Sequence, residues 1–256
     1  MTNSEQTPDQ PIAIQSLQKS FGSQKVLNGI DLSVARGETV AILGKSGTGK
    51  SVLLKLVVGL QKPDSGTIRV AAQEITGLTT EQLNEVRKKL GFLFQQSALY
   101  DSMTIAENVA FPLERHTKMS ESERANKVRE LLASVGMERD LDKLPSQISG
   151  GMQKRVGLAR ALALDPEILL FDEPTSGLDP ITGAEIDELI NRMKKERQIT
   201  SLVVTHDVRG ARSFADRLVL LKDGNIGGEG TFEELQKSKD EFVQQFLKNG
   251  GEGCES

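Results

Sequence analysis

Cysteine is almost absent from the 256 residues: Cys254 is the only one. An internal disulfide framework and a cysteine-rich zinc site are therefore excluded. Long apolar runs are missing as well. The longest stretch without Asp, Glu, Lys or Arg is Leu90 to Tyr100, eleven residues, whereas a membrane span needs about 20. The opening MTNSEQTPDQ has no basic patch followed by an apolar run, so it reads as a loose tail and not as a secretory signal. Positive charge is not in excess: 32 Lys and Arg face 36 Asp and Glu, a net charge of −4. That balance argues against a DNA-coating role, and no nucleic-acid partner is expected. No internal repeat and no low-complexity linker is visible. What is there, 37% hydrophobic and 27% charged residues, is the composition of a folded domain. A chain of this size buries roughly 70% of its unfolded surface, enough to hold a core without metal or disulfide support.

The apolar pattern places the elements. Ile12 to Leu17 reads as a strand, and Ile30, Leu32 and Val34 alternate with more polar neighbours as in a strand with one exposed face. Thr39 to Leu43 is a short buried strand running into a glycine-rich loop, with a helix expected over Val52 to Leu60. Another short strand is expected after Lys62-Pro63-Asp64-Ser65-Gly66. The stretch from about 97 to 162 turns helical. Ser120 and Glu123 have capping-box spacing, Val128, Leu131, Leu132 and Val135 share one helix face, and Gly136 ends it. A further helix is expected from Gly150 to Leu164. Then α/β alternation resumes: strand Ile168 to Asp172, a helix opened by Asp179-Pro180, strand Thr200 to Thr205, and strand Arg217 to Lys222 turning at Asp223-Gly224. Thr231 and Glu234 form a second capping box, and Gly250 to Ser256 reads as a disordered tail. Strands alternating with helices imply a mostly parallel sheet. The organisation expected is a tail over 1–11, one domain over 12–230 with its helical insertion at about 97–162, and C-terminal helices with a tail over 231–256.

Three stretches carry chemistry. Gly44-Lys45-Ser46-Gly47-Thr48-Gly49-Lys50-Ser51 matches G-x-x-x-x-G-K-[ST] between a strand and a helix. Its glycines let successive N–H groups curl around phosphates, Lys50 reaches the β- and γ-phosphates, and Ser51 offers a hydroxyl to Mg²⁺. Ile168-Leu169-Leu170-Phe171 buries a strand and delivers Asp172 and Glu173 at its carboxyl end, where open α/β sheets bind ligands. Asp172 suits a Mg²⁺ held through water, and Glu173 suits a general base on the attacking water. Ser149-Gly150-Gly151 opens a second phosphate-binding helix end. One nucleotide needs one phosphate loop, so a second such end suggests half of a site shared with another subunit. The basic pair Lys154-Arg155 reads as a solvated helix face, His116 as a surface residue, and Cys254 as without a role.

Taken in order, the phosphate loop, Ser149-Gly150-Gly151, Asp172-Glu173, Ser176-Gly177-Leu178-Asp179 and His206 resemble the nucleotide-binding subunit of ATP-binding cassette (ABC) transporters, over about Ile12 to Lys222. The resemblance implies an α/β fold: a P-loop NTPase (RecA-like) core with an antiparallel β subdomain and an inserted α-helical subdomain. It implies an ATPase working with ATP and Mg²⁺ as a head-to-tail homodimer. Two ATPs would lie between each phosphate loop (Gly44, Ser46, Gly47, Thr48, Gly49, Lys50, Ser51, with Val52 following) and the partner's Ser149, Gly150 and Gly151. By the same resemblance Gln95, beside Gln96, reads Mg²⁺ and links to a multi-span permease. Asp179 crosses the dimer interface, His206 senses the γ-phosphate, and Phe21 stacks on adenine, its alternative being a core position.

Three places depart from the generic pattern: Met152 after Ser149-Gly150-Gly151, Val52 after Lys50-Ser51, and Asp179-Pro180-Ile181-Thr182. With Glu107 to Thr117, they resemble the ATPases of lipid transporters with mammalian-cell-entry (Mce) domains, including the maintenance-of-lipid-asymmetry (Mla) systems. That likeness implies phospholipid transport, an Mce-domain partner and a peripheral place on the cytoplasmic face of the inner membrane. The alternatives are a motor for another cargo (amino acid, ion or lipoprotein) and a soluble ABC ATPase of cluster assembly. The intact Glu173 and His206 argue against a regulator that binds ATP without hydrolysing it.

Overall fold

The computed structural model describes residues 9–248 and Gly250. Strands β1 (Ile12–Phe21) and β2 (Gln24–Val34) form a hairpin and lead to β3 (Thr39–Gly44). The phosphate loop and helix α1 (Lys50–Val57) follow, then β4 (Ser65–Val70), β5 (Gln73–Glu74), α2 (Thr80–Arg87) and β6 (Leu90–Leu93). Helices α3 (Ile105–His116), α4 (Glu121–Ser134) and α5 (Gly150–Ala161) fill the middle, with one 3-10 turn at Pro145–Gln147. The chain continues as β7 (Ile168–Asp172), α6 (Pro180–Arg197), β8 (Thr200–Thr205) and α7 (Val208–Phe214). It finishes with β9 (Arg217–Lys222), β10 (Asn225–Gly230), α8 (Phe232–Gln236) and α9 (Glu241–Lys248).

Two sheets result. One is antiparallel, in the order β2-β1-β4-β5; the other runs β10-β9-β3-β8-β7-β6. Within the second, β9, β3, β8, β7 and β6 are parallel, and only β10 runs against its neighbour. The central strands β3, β7 and β8 are buried at every position, as expected of parallel strands covered on both faces. Successive side chains point to opposite faces. Ala41, Leu43, Leu169, Phe171, Val203 and Leu220 join a core shared with α3 to α7. Val40, Ile42, Ile168, Leu170, Val204 and Leu221 join a core shared with α1 and the antiparallel sheet. The parallel sheet is thus the middle layer.

Caps set the helix boundaries. Thr79, Thr104, Ser120 and Thr231 each make a full capping box, while Asp179 and Asp207 cap α6 and α7 with side-chain oxygens. Helix α1 starts at Lys50, two residues before the expected Val52, because Gly49 is its left-handed N-cap. It stops short of Leu60 because Gly59 turns left-handed, φ +70°. Strand β1 outruns the expected Leu17: Ser16 at φ +48° makes a bulge there and shifts the register against β2. Of the expected N-terminal tail, Asp9 to Pro11 are tied down and not loose. Arg36 donates its N–H to the Asp9 carbonyl and its guanidinium to the Asp9 carboxylate, and Ala71 N–H donates to the Pro11 carbonyl at 2.8 Å. Residues 1–8, and the expected disordered tail beyond Gly250 with Cys254, lie outside the described residues. No described helix is long and apolar enough to cross a membrane.

Candidate functional site

The carboxyl ends of the parallel strands gather the chemistry. In register, Leu43 pairs with Thr205, Val204 with Asp172, and Phe171 with Leu93. The segments that follow are therefore side by side: the phosphate loop, Glu173, His206 and Gln95. They line a cleft of about 740 Å³, together with Val26, Phe21 and Val52.

The phosphate loop is shaped by its glycines. Gly49 has φ +97°, and a Cβ there would lie 2.8 Å from Val26 Cγ1, so both conformation and space demand glycine. Gly44 is close-packed: a Cβ would meet Thr48 Oγ1 at 2.7 Å. Helix α1 has no side-chain cap and no acidic residue in its first turn. Its free N–H groups and positive end face the cleft, a ready anion site. Ser46 and Gly47 line the same wall.

Lys50 is 6% exposed and curls back over the loop, donating from Nζ to the carbonyls of Gly44 at 2.8 Å and Lys45 at 3.1 Å. Glu173 Oε1 lies 3.8 Å away. Burial lowers the Lys50 ammonium's pKa, and the charges of Glu173 and Asp172 oppose that shift. Ser51 Oγ donates to Asp172 Oδ1 at 2.7 Å, so helix α1 and strand β7 are joined at the point where both reach the cleft. Glu173 has φ +49°, a rare conformation for a residue with a side chain. Its N–H donates to the Val204 carbonyl at 2.8 Å. Its Oε2 accepts from His206 Nδ1 at 2.7 Å; the carboxylate can only accept, so the proton is on Nδ1. The His206 ring is otherwise open, with 54% of its side chain exposed. Gln95 Nε2 donates to Ser176 Oγ at 3.3 Å across the cleft. Phe21 is 47% exposed at the rim. It is not a core residue, and Lys19 Nζ lies 5.4 Å from its ring centre.

Four expected site residues are placed elsewhere. Ser149, Gly150 and Gly151 are at the start of α5, where Ser149 Oγ accepts from Met152 N–H at 3.3 Å; none of them lines the cleft. Asp179 caps α6, accepting from the N–H groups of Ile181 and Thr182, both at 3.1 Å, and from Thr182 Oγ1 at 2.6 Å. The Thr182 bonds hold its carboxyl below the usual carboxylate range. Asp179 lines a neighbouring hollow of about 770 Å³, which shares Ser176 and His206 with the cleft.

One expectation is overturned. Lys154 is no solvated surface residue: it is 4% exposed and reaches inward to backbone carbonyls. Nothing in the run Lys154-Arg155 signalled that, because the direction of a helical lysine depends on what packs beside it. Arg155 points instead to the Val135 carbonyl at 3.0 Å and Glu185 at 2.8 Å.

An oxygen-only Mg²⁺ site fits this arrangement. Among the described residues no cluster of three or more His, Cys, Asp or Glu could hold a metal. A hydroxyl, one carboxylate and an amide oxygen beside a phosphate cradle suit a hard cation that takes most of its ligands from substrate and water.

A phosphate loop at the end of a central parallel strand, faced by an Asp-Glu pair and a histidine from the next two strands, defines a P-loop nucleotide-hydrolase core. Comparison with known proteins narrows the class. The family model described as ABC transporter matches residues 27–176. The phospholipid transport ATP-binding protein MlaF of Haemophilus influenzae is 40% identical over 242 residues, covering 94% of this chain and 92% of that one. A probable ribonucleotide transport ATP-binding protein, mkl, of Mycobacterium tuberculosis is 44% identical, covering 92% of this chain; this chain spans 66% of that protein's length. Among solved structures, the dimeric cassette MJ0796 bound to ADP and Pi is 37% identical, with TM-score 0.80, covering 86% of this chain and 98% of that one. The protein cbiO1 of Clostridium perfringens is 31% identical, with TM-score 0.82, covering 95% and 98%. The chain belongs to the ABC transporter family and is an ATPase cassette of that family.

Proposed function

We propose that this cassette is the motor of a transporter that moves phospholipid between membranes, and that it works as a homodimer on the cytoplasmic face of the inner membrane. The observation that carries the hydrolytic reading is the contact of Glu173 with His206, set opposite Lys50 in one cleft. In that reading the loop N–H groups cradle the phosphates, and Lys50 exchanges the Gly44 and Lys45 carbonyls for phosphate oxygens. Phe21 stacks on adenine at the rim. Ser51, Asp172 and Gln95 hold Mg²⁺, which when bound neutralises phosphate charge. His206 fixes the Glu173 carboxylate, and Glu173 takes a proton from the attacking water. Ser149, Gly150 and Gly151 of a second copy close the site over the γ-phosphate, with Asp179 crossing between copies. The placement of these residues away from the cleft, with Ser149, Gly150 and Asp179 exposed and Gly151 buried behind them, supports that division.

Phospholipid as cargo, and an Mce-domain protein beside a multi-span permease, draw support from the resemblance noted above and from the likeness to MlaF. The methionine import ATP-binding protein MetN of Brucella abortus is 42% identical over 219 residues, so cargo is what the experiment must read. Tagged Glu173→Gln chain is extracted from native membranes in mild detergent, and co-purifying proteins and lipids are identified. A permease with an Mce-domain protein and phospholipid is expected. A permease with a solute-binding protein would overturn the lipid cargo and keep the motor; soluble partners alone would overturn both. In the same preparation, Glu173→Gln is expected to lower ATP turnover by about 10²-fold, the scale of general-base loss.

A further inference from the structure

Lys154 stands five residues beyond Ser149 on α5, with 4% of its surface exposed. Its Nζ donates to the Gln95 carbonyl and, at 3.1 Å, to the Glu173 carbonyl. It forms no ion pair among the described residues. Burial lowers its pKa to about 8, against the favourable charges of Asp172 and Glu173. A buried ammonium resting on two carbonyls carries a desolvation cost that a Met or Leu at the same helix position would not.

Both carbonyls belong to strained backbone or adjoin it. Glu173 itself has φ +49°, and Ser97 and Ala98, just after Gln95, have φ +57° and +48°. Such conformations persist where surrounding bonds over-determine them. At Glu173 those bonds are the Val204 carbonyl on its N–H and, on its C=O, both Ser176 N–H at 3.2 Å and Lys154. Two turns along the same helix, Arg160 donates to the carbonyls of Ala98 at 2.8 Å and Ser97 at 2.6 Å. Helix α5 thereby grips the Gln95 segment at two points and Glu173 at one.

We propose that Lys154 is a positioning residue for hydrolysis, bridging the Gln95 and Glu173 backbones so that the Glu173 carboxylate stays aimed at the attacking water. The inference rests on the hydrolytic reading of Glu173 above and adds a residue that does not line the cleft. It also makes α5 the element through which a load on its Ser149 end reaches the base. Because Arg160 still holds the segment after Gln95 when Lys154 is lost, and Lys154 does not touch the phosphate cradle, its loss lowers kcat and spares KM.

The test is steady-state turnover and KM for ATP with the full chain carrying Lys154→Met or Lys154→Arg, beside the unaltered chain and Glu173→Gln. Lys154→Met is expected to lower kcat between about 10-fold and 100-fold, the scale of a misplaced catalytic group, with KM unchanged within about twofold. Lys154→Arg, which keeps a charged donor, is expected to recover most of that loss. Unchanged kcat in folded Lys154→Met, a parallel rise in KM, or an Arg variant no better than Met would each overturn the proposal. If Lys154→Met does not fold, Lys154→Gln replaces it under the same criteria. An unaltered chain without turnover that Glu173→Gln abolishes would count against the hydrolytic reading, and against this inference with it. Turnover that survives Lys154→Met counts against this inference alone.

Discussion

Asp187 lies on the buried face of α6, 8% exposed. Across from it sits Gly210 of α7, whose missing Cβ leaves room for the Asp187 carboxyl. Burial, and then the charge of Asp207, push its pKa up to about 7 from the usual 3.8. The native chain therefore holds this proton more tightly than the unfolded chain does. The stability it contributes is full below about pH 4, falls as pH rises towards 7, and is gone above that. Asp187→Asn, neutral at every pH, should gain in melting temperature on the unaltered chain as pH rises from 4 to 8. A constant difference across that range would show that the carboxyl is not neutral when folded. Lys50 gives a second test at this scale. Removing a cation that is 6% exposed and sits beside Glu173 should abolish hydrolysis or weaken ATP binding in Lys50→Ala, read by turnover and by nucleotide titration; wild-type behaviour would refute the phosphate-loop role. Lys50, Ser51, Asp172 and Glu173 were readable from sequence because each belongs to a contiguous motif. Lys154 and Asp187 were not, since their chemistry comes from what tertiary packing places opposite them.

Among the elements, legibility followed length and local punctuation. Strands β3, β7 and β8 showed as unbroken apolar runs, and α4 and α6 announced themselves by caps and spacing. Helix α2, four-residue β6 and two-residue β5 went unread. A strand of four residues pairs only because β7 is already in place, and its apolar pattern is too short to separate from a helix segment. Strand β10 was hidden by three glycines in Asn225–Gly230. In the site, the loop between β3 and α1 depends most on one residue. Gly49→Ala forces a side chain into φ +97° and against Val26 at 2.8 Å, a strain of about 1–3 kcal/mol. The variant should melt at lower temperature and lose nucleotide affinity more than Gly47→Ala, which shares the left-handed strain at φ +80° but whose Cβ would meet nothing within 4 Å. Equal losses in the two variants would show that the close approach to Val26 does not matter.

For the whole molecule, the division of residues between the cleft and the start of α5 predicts a behaviour that no single chain can show. Ser149→Arg should stop turnover without unfolding the chain, as should Lys50→Ala. In mixed dimers, one composite site would join an intact phosphate loop to an intact α5 start, while the other would carry both defects. Mixing the two inactive variants should therefore restore part of the activity, measured by ATP turnover against mixing ratio. No recovery, once mixed dimers are shown to form, would refute the shared site.

The cleft also draws its walls from both sheets: Phe21 and Val26 come from the antiparallel one, Glu173 and His206 from the ends of β7 and β8, with Lys50 at the start of α1 between them. A ligand seated there is a further strut between two bodies already joined by Asn28 N–H to the Gly224 carbonyl at 2.7 Å and by Arg217 to the Ser33 carbonyl. Any affinity it has for the folded chain is then spread over both bodies as a shared threshold for opening. Amide exchange along β1 and β2 would slow together with exchange in β3 when nucleotide is added, although no β1 residue other than Phe21 lines the cleft.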